Sequence, residues 1–141
     1  MASLDDIKIH VRLKLGALWA ATMSCYIYCD YFELYMPGKL QSMLDGRMDP
    51  LGPTTQGVLL GTSAMMALPS LMIALSLLLP ATMCRWANIA LGLFFTAIMC
   101  LLVYQAGWYF YKGFAALEAL MTAAIVVYAW RWPLARTASR L

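Results

Sequence analysis

The chain has 141 residues, of which 63% are hydrophobic and 12% charged. Soluble domains carry about 45–50% apolar and about 25% charged residues, and a short chain buries the smaller share of its surface. This composition therefore excludes an ordinary water-soluble globule and makes lipid the solvent. The net charge of +3 comes from basic residues scattered at predicted helix ends. That is an orientation signal and not a nucleic-acid-binding face.

Residues 1–14 read as a cytoplasmic interfacial segment. Ser3 and Asp6 resemble a helix capping box, and Leu4, Ile7 and Val11 share one helical face. Acidic residues near the start, a long apolar run and the lack of a small-residue cleavage site argue against a removable secretory signal. A first spanning helix covers about 15–35, enough for a hydrocarbon core of about 30 Å, and Pro37-Gly38 ends it. The external loop, 37–54, holds Pro37, Pro50 and Pro53 together with Asp45, Gly46 and Asp49. Its stretch from Gly38 to Met48 has room for one short amphipathic helix.

The second helix covers about 55–79, with Thr54 as its N-cap. Pro69 removes a backbone hydrogen bond and should kink it. The third covers about 86–104 and the fourth about 108–130. They complete a transmembrane domain of 15–132, and 133–141 is a cytoplasmic tail. Short connections make the second and third helices, and the third and fourth, antiparallel neighbours. The fold class is an all-α integral membrane protein, a four-transmembrane-helix antiparallel bundle with both termini inside.

The charges set the orientation. Lys8, Arg12, Lys14, Arg85, Arg131, Arg136 and Arg140 fall on one side; Lys39, Arg47 and Lys112 fall on the other. The richer side is cytoplasmic. Trp86, Trp108, Trp130 and Trp132 then sit at the interfaces.

Helices in lipid associate through small residues and interhelical hydrogen bonds. Four lines of such residues mark the bundle interior. They are Trp19, Thr22, Tyr26, Asp30 and Glu33; Gly57 and Gly61; Asn88, Gly92, Thr96 and Cys100; and Tyr111, Ala115, Glu118 and Thr122. The GxxxG pair packs either within one chain or between protomers.

Asp30 and Glu118 carry the functional expectation. An acid in the apolar span costs ~2.5–3.5 kcal/mol on insertion scales for Asp at a helix centre. Asp30 lies six residues before Met36, and Glu118 six after Lys112. At a rise of ~1.5 Å per residue, both sit roughly 9 Å below the external boundary. Two carboxylates close together repel when both are charged, and a shared proton, a cation or a basic side chain would relieve that. Lys39, Arg47 or Lys112 could reach in from outside. Tyr26, Tyr28, Tyr31 and Thr62 could add hydrogen bonds, and the tyrosines could form an aromatic box for a cation. The predicted site is a proton-titratable, outward-facing pocket for a small polar or cationic ligand, made by Asp30, Glu118, Tyr26, Tyr28, Tyr31 and Thr62. The plainer alternatives are a buried network that fixes helix register and tyrosines that only anchor the interface.

His10 is the sole histidine and Cys25, Cys29, Cys84 and Cys100 lack metal spacing. No metal, cofactor or catalytic triad is expected, and the balance leans away from an enzyme without excluding one. The cysteines read as small buried hydrophobes.

The runs Tyr28-Cys29-Asp30-Tyr31-Phe32-Glu33-Leu34-Tyr35-Met36-Pro37-Gly38-Lys39-Leu40, Gly52-Pro53-Thr54-Thr55-Gln56-Gly57-Val58-Leu59-Leu60-Gly61-Thr62 and Tyr128-Ala129-Trp130-Arg131-Trp132-Pro133 resemble a bacterial family of small four-helix membrane proteins of unknown function. The likeness spans nearly the whole chain. It implies a bacterial inner-membrane location and no particular activity. A looser similarity, by size and helix count, is to DoxX-like proteins. Three functions remain open: ligand binding or transport, in a homo-oligomer if transport is involved; an accessory subunit of a larger membrane complex; and a membrane thiol-redox protein using Cys25 and Cys29.

Overall fold

The computed structural model describes residues 7–133. Five helices follow in order: α1 (Val11–Glu33), α2 (Lys39–Leu44), α3 (Gln56–Leu78), α4 (Ala81–Gln105) and α5 (Tyr109–Trp130). The described residues contain no strand. Three helices, α3, α4 and α5, are long and apolar enough to cross a membrane. α1 matches α3 in length at 23 residues, but Asp30, Glu33 and its tyrosines make it less apolar.

The helix ends follow local chemistry. α1 begins at Val11, ahead of the expected residue 15, because His10 caps it: its Nδ1 accepts the Arg12 N–H at 3.3 Å. It ends at Glu33, short of residue 35, where Leu34, Tyr35 and Met36 donate to carbonyls three residues back, the tightened turn common at helix ends. Residues 7–10 are not helical; the Ser3–Asp6 capping box lies outside the described residues. The cap of α3 is Thr55 rather than Thr54, its hydroxyl accepting from the Val58 N–H at 3.2 Å. α4 starts at Ala81 rather than near residue 86. Pro80 presets the entry with a φ of −54°, and its carbonyl accepts the Cys84 N–H at 2.9 Å. The long loop is ordered by its own hydrogen bonds, among them Met48 N–H to the Gly52 carbonyl and Thr54 N–H to the Gly46 carbonyl, each 2.7 Å.

α4 packs most extensively on α5, α1 lies against both α5 and α3, and α3 touches α4 only slightly. The expected α4–α5 pairing is present, but the expected α3–α4 pairing is not. The reason lies in where α3 finds partners. Its buried residues are Pro69, Met72 and Ser76, all in its C-terminal half. There α1 comes so close that a Cβ on Gly16 would stand 3.1 Å from the Ile73 carbonyl oxygen. The N-terminal half of α3 has no fully buried residue, and its Met65 and Met66 are half-buried against the core. The α4–α5 seam is tighter still, since a Cβ on Gly92 would meet Val126 Cγ2 at 2.7 Å. The Gly57–Gly61 pair meets no neighbouring helix.

Near the Leu79–Pro80 turn the interior is polar, and the groups gathered around Asn88 all have partners. Asn88 is fully buried. Its Oδ1 accepts the Trp19 indole N–H at 2.8 Å, and its Nδ2 donates to the Cys84 carbonyl at 2.8 Å. Ser76 lies 3.4 Å from both amide atoms. Arg12 donates to the Leu77 and Leu79 carbonyls at 2.9 and 2.7 Å, covering acceptors that a helix C-terminus leaves without partners.

Candidate functional site

At the opposite end of the bundle, α1, α3, α4 and α5 enclose a cavity of about 140 Å³. α1 contributes Tyr26, Cys29 and Asp30; α5 contributes Tyr111, Ala115 and Glu118. These positions recur at three- and four-residue intervals, so each set forms one face of its helix. Met65 and Met66 of α3 and Ile98, Met99 and Leu102 of α4 make the rest of the wall apolar. Ala115 leaves the room that a larger side chain would fill. Pro69 has no N–H, so the Met65 carbonyl loses its usual helical donor.

Two polar atoms in this cavity lack partners. Glu118 is 3% exposed and its Oε1 receives no hydrogen bond; Tyr26 is 6% exposed and its hydroxyl makes none. Buried polar groups are hydrogen-bonded in the large majority of cases. Leaving one unpaired costs about 1–3 kcal/mol, and more when it is charged. Asp30 is the surface-exposed member of the set, at the cavity edge. The Tyr26 ring is held against Phe95, with centroids 6.4 Å apart.

The cations expected to reach inward are engaged elsewhere or lie off the cavity. Among the described residues the ion pairs are Lys39–Glu33 at 2.7 Å and Arg47–Asp49 at 3.3 Å. Lys112 is half-buried on α5 and does not line the cavity. A larger recess of about 270 Å³ lies above, lined by Glu33, Met36, Pro50, Gln105 and Trp108, and it shares Leu102 and Tyr111 with the cavity. At the loop surface, a hydrogen bond from Ser42 at 2.6 Å, followed by the Arg47 guanidinium, holds the Asp49 carboxyl below its usual range.

Of the six residues expected to form a site, Asp30, Glu118 and Tyr26 come together. Tyr28 is exposed away from the cavity. Tyr31 is exposed too and shares a 2.9 Å hydrogen bond with Tyr35. Thr62 turns back onto its own helix, donating to the Val58 and Leu59 carbonyls. Tyr111, Cys29 and the three methionines join the wall without having been singled out for it. Tyr111 was legible, being seven residues before Glu118 on the same face. Cys25 is half-buried and off the cavity, and all four cysteines are free. No cluster of three or more His, Cys, Asp or Glu able to hold a metal occurs among the described residues.

Residues 6–139 match the model of a family of unknown function, DUF6326. The chain belongs to that family. No curated protein and no solved structure matches the chain, so the looser DoxX-like similarity gains no support. As a DUF6326 protein it inherits no activity from its family, and the cavity's own chemistry has to supply the functional reading. A buried acid, a second acid at the edge, two phenols and a mostly apolar wall suit capture of a small positive charge.

Proposed function

We propose that this DUF6326 protein is a four-span membrane protein, with both termini cytoplasmic, that binds a small polar or cationic ligand in an outward-facing, proton-titratable pocket. α1 supplies the fourth span: 23 residues at ~1.5 Å each reach roughly 35 Å, beyond a hydrocarbon core of about 30 Å. The distribution of basic residues favours the orientation, and the family resemblance favours a bacterial inner membrane. The observation that carries the binding reading is the pair of unpartnered buried atoms, Glu118 Oε1 and Tyr26 Oη, on one cavity.

The titratable groups facing Glu118 across this cavity are Tyr26, Cys29 and Asp30 of α1 and Tyr111 of α5; α3 and α4 bring none. Protons compete with a bound cation for the two carboxylates, so affinity rises with pH until both are free of protons. The test is equilibrium binding of small organic cations, methylammonium and tetramethylammonium, to the purified full chain across a pH series. Asp30→Asn and Glu118→Gln are expected to lose the pH-dependent binding while remaining folded by circular dichroism. Normal binding by both variants would overturn the proposal.

A further inference from the structure

We infer that the ligand of this cavity is a protonated primary amine on a short apolar chain; this rests on the cation-binding reading above and narrows it. The first constraint is hydrogen bonding. Glu118 Oε1 can only accept when ionised, and the Tyr26 hydroxyl retains acceptor capacity; both are buried without partners. A quaternary ammonium has no N–H and would leave both atoms unsatisfied. An alkylammonium has three N–H donors, enough for Glu118, Tyr26 and one further acceptor. Asp30 stands at the edge of the same space for that third role.

The second constraint is charge. A neutral alcohol could satisfy the hydrogen bonds but would leave a carboxylate without a counter-charge in an apolar wall, an expensive arrangement. Among the described residues no ion pair reaches Glu118 or Asp30. An ammonium resembles the lysine side chain and is protonated throughout the neutral range, given a lysine reference value near 10.4. The rings of Tyr26 and Tyr111 add a further attraction for a cation.

The third constraint is size. A cavity of ~150 Å³ with an apolar lining accommodates benzene, and this one has about 140 Å³. A bare metal ion would leave most of that volume unfilled against Met65, Met66, Ile98 and Leu102. A chain of about four carbons would occupy it and bury its methylenes against those side chains. The sulfur atoms of Cys29, Met65, Met66 and Met99 would also suit a soft monovalent metal, so the experiment includes one.

The test is titration calorimetry of the full chain in detergent micelles with n-butylammonium, tetramethylammonium, n-butanol and Ag(I). n-Butylammonium is expected to bind at least ten-fold more tightly than tetramethylammonium or n-butanol. Tyr26→Phe, which keeps the ring, should weaken the n-butylammonium complex by several-fold and leave tetramethylammonium binding unchanged. Tetramethylammonium binding as tightly as n-butylammonium would overturn the amine inference and leave the cation pocket standing. Binding of Ag(I) alone, lost in a Met65→Leu/Met66→Leu variant, would overturn it in favour of a soft-metal site. Failure of every organic cation to bind would remove the pocket reading as well.

Discussion

The bundle contains two buried polar clusters, and they are built on opposite terms. Around Asn88, near the Leu79–Pro80 turn, the amide, the Trp19 indole and the Ser76 hydroxyl all have partners, and α1, α3 and α4 meet there. Around Glu118, a carboxylate oxygen and a phenol are buried without partners beside an open cavity. A saturated network stabilises and specifies packing, whereas a partly satisfied one is costly. The first cluster therefore holds the bundle together. The second stores unmet hydrogen-bonding capacity that a ligand can use.

That contrast breaks if substitutions at the two ends have similar consequences. Asn88→Ala carries the largest expected stability loss, about 2–4 kcal/mol, from the volume removed and the Trp19 N–H left unpaired. Denaturant unfolding in mixed micelles measures it, and a loss below about 0.5 kcal/mol would mean that the network is not structural. Gly92→Ala comes next at about 1–3 kcal/mol, because the new Cβ needs Val126 to shift on the tight α4–α5 seam. Gly61→Ala meets open space and should be neutral in a monomer, so the pair sharpens where close packing occurs. Arg12→Ala removes the side chain covering the C-terminal carbonyls of α3 and should cost about 1 kcal/mol. Glu118→Gln should change stability least, within about 0.5 kcal/mol, because the native oxygen has no bond to lose.

Much of this was legible in the chain. The all-helical class and the rough extent of the long helices followed from long apolar runs, the first of them ended by Pro37-Gly38, whereas the start of α4 directly after Pro80 was missed. Asp30 and Glu118 stood out because lipid makes acids expensive, and counting residues from the boundaries put them at one depth. Tyr28, Tyr31 and Thr62 were misleading for separate reasons. Tyr28 and Tyr31 lie two residues and one residue from Asp30, and helix residues so spaced do not face each other; a threonine can bond to the turn beneath it. The saturated cluster was harder to read. Asn88 and Trp19 each lay on a recognised polar line, but their 69-residue separation hides their contact from any local pattern. The slight contact of α3 with α4 was invisible too, since a short turn fixes where two helices meet and not whether they stay together.

The central claim is that Glu118 serves binding rather than folding. Thermal unfolding of the native chain and of Glu118→Gln, each with and without excess n-butylammonium, tests it most directly. A ligand that binds the folded state raises the midpoint in proportion to RT ln(1 + [L]/Kd). The native chain should show that rise, and Glu118→Gln should start from nearly the same midpoint and show none. An equal rise in the variant, or a collapse of its starting midpoint, would contradict the claim.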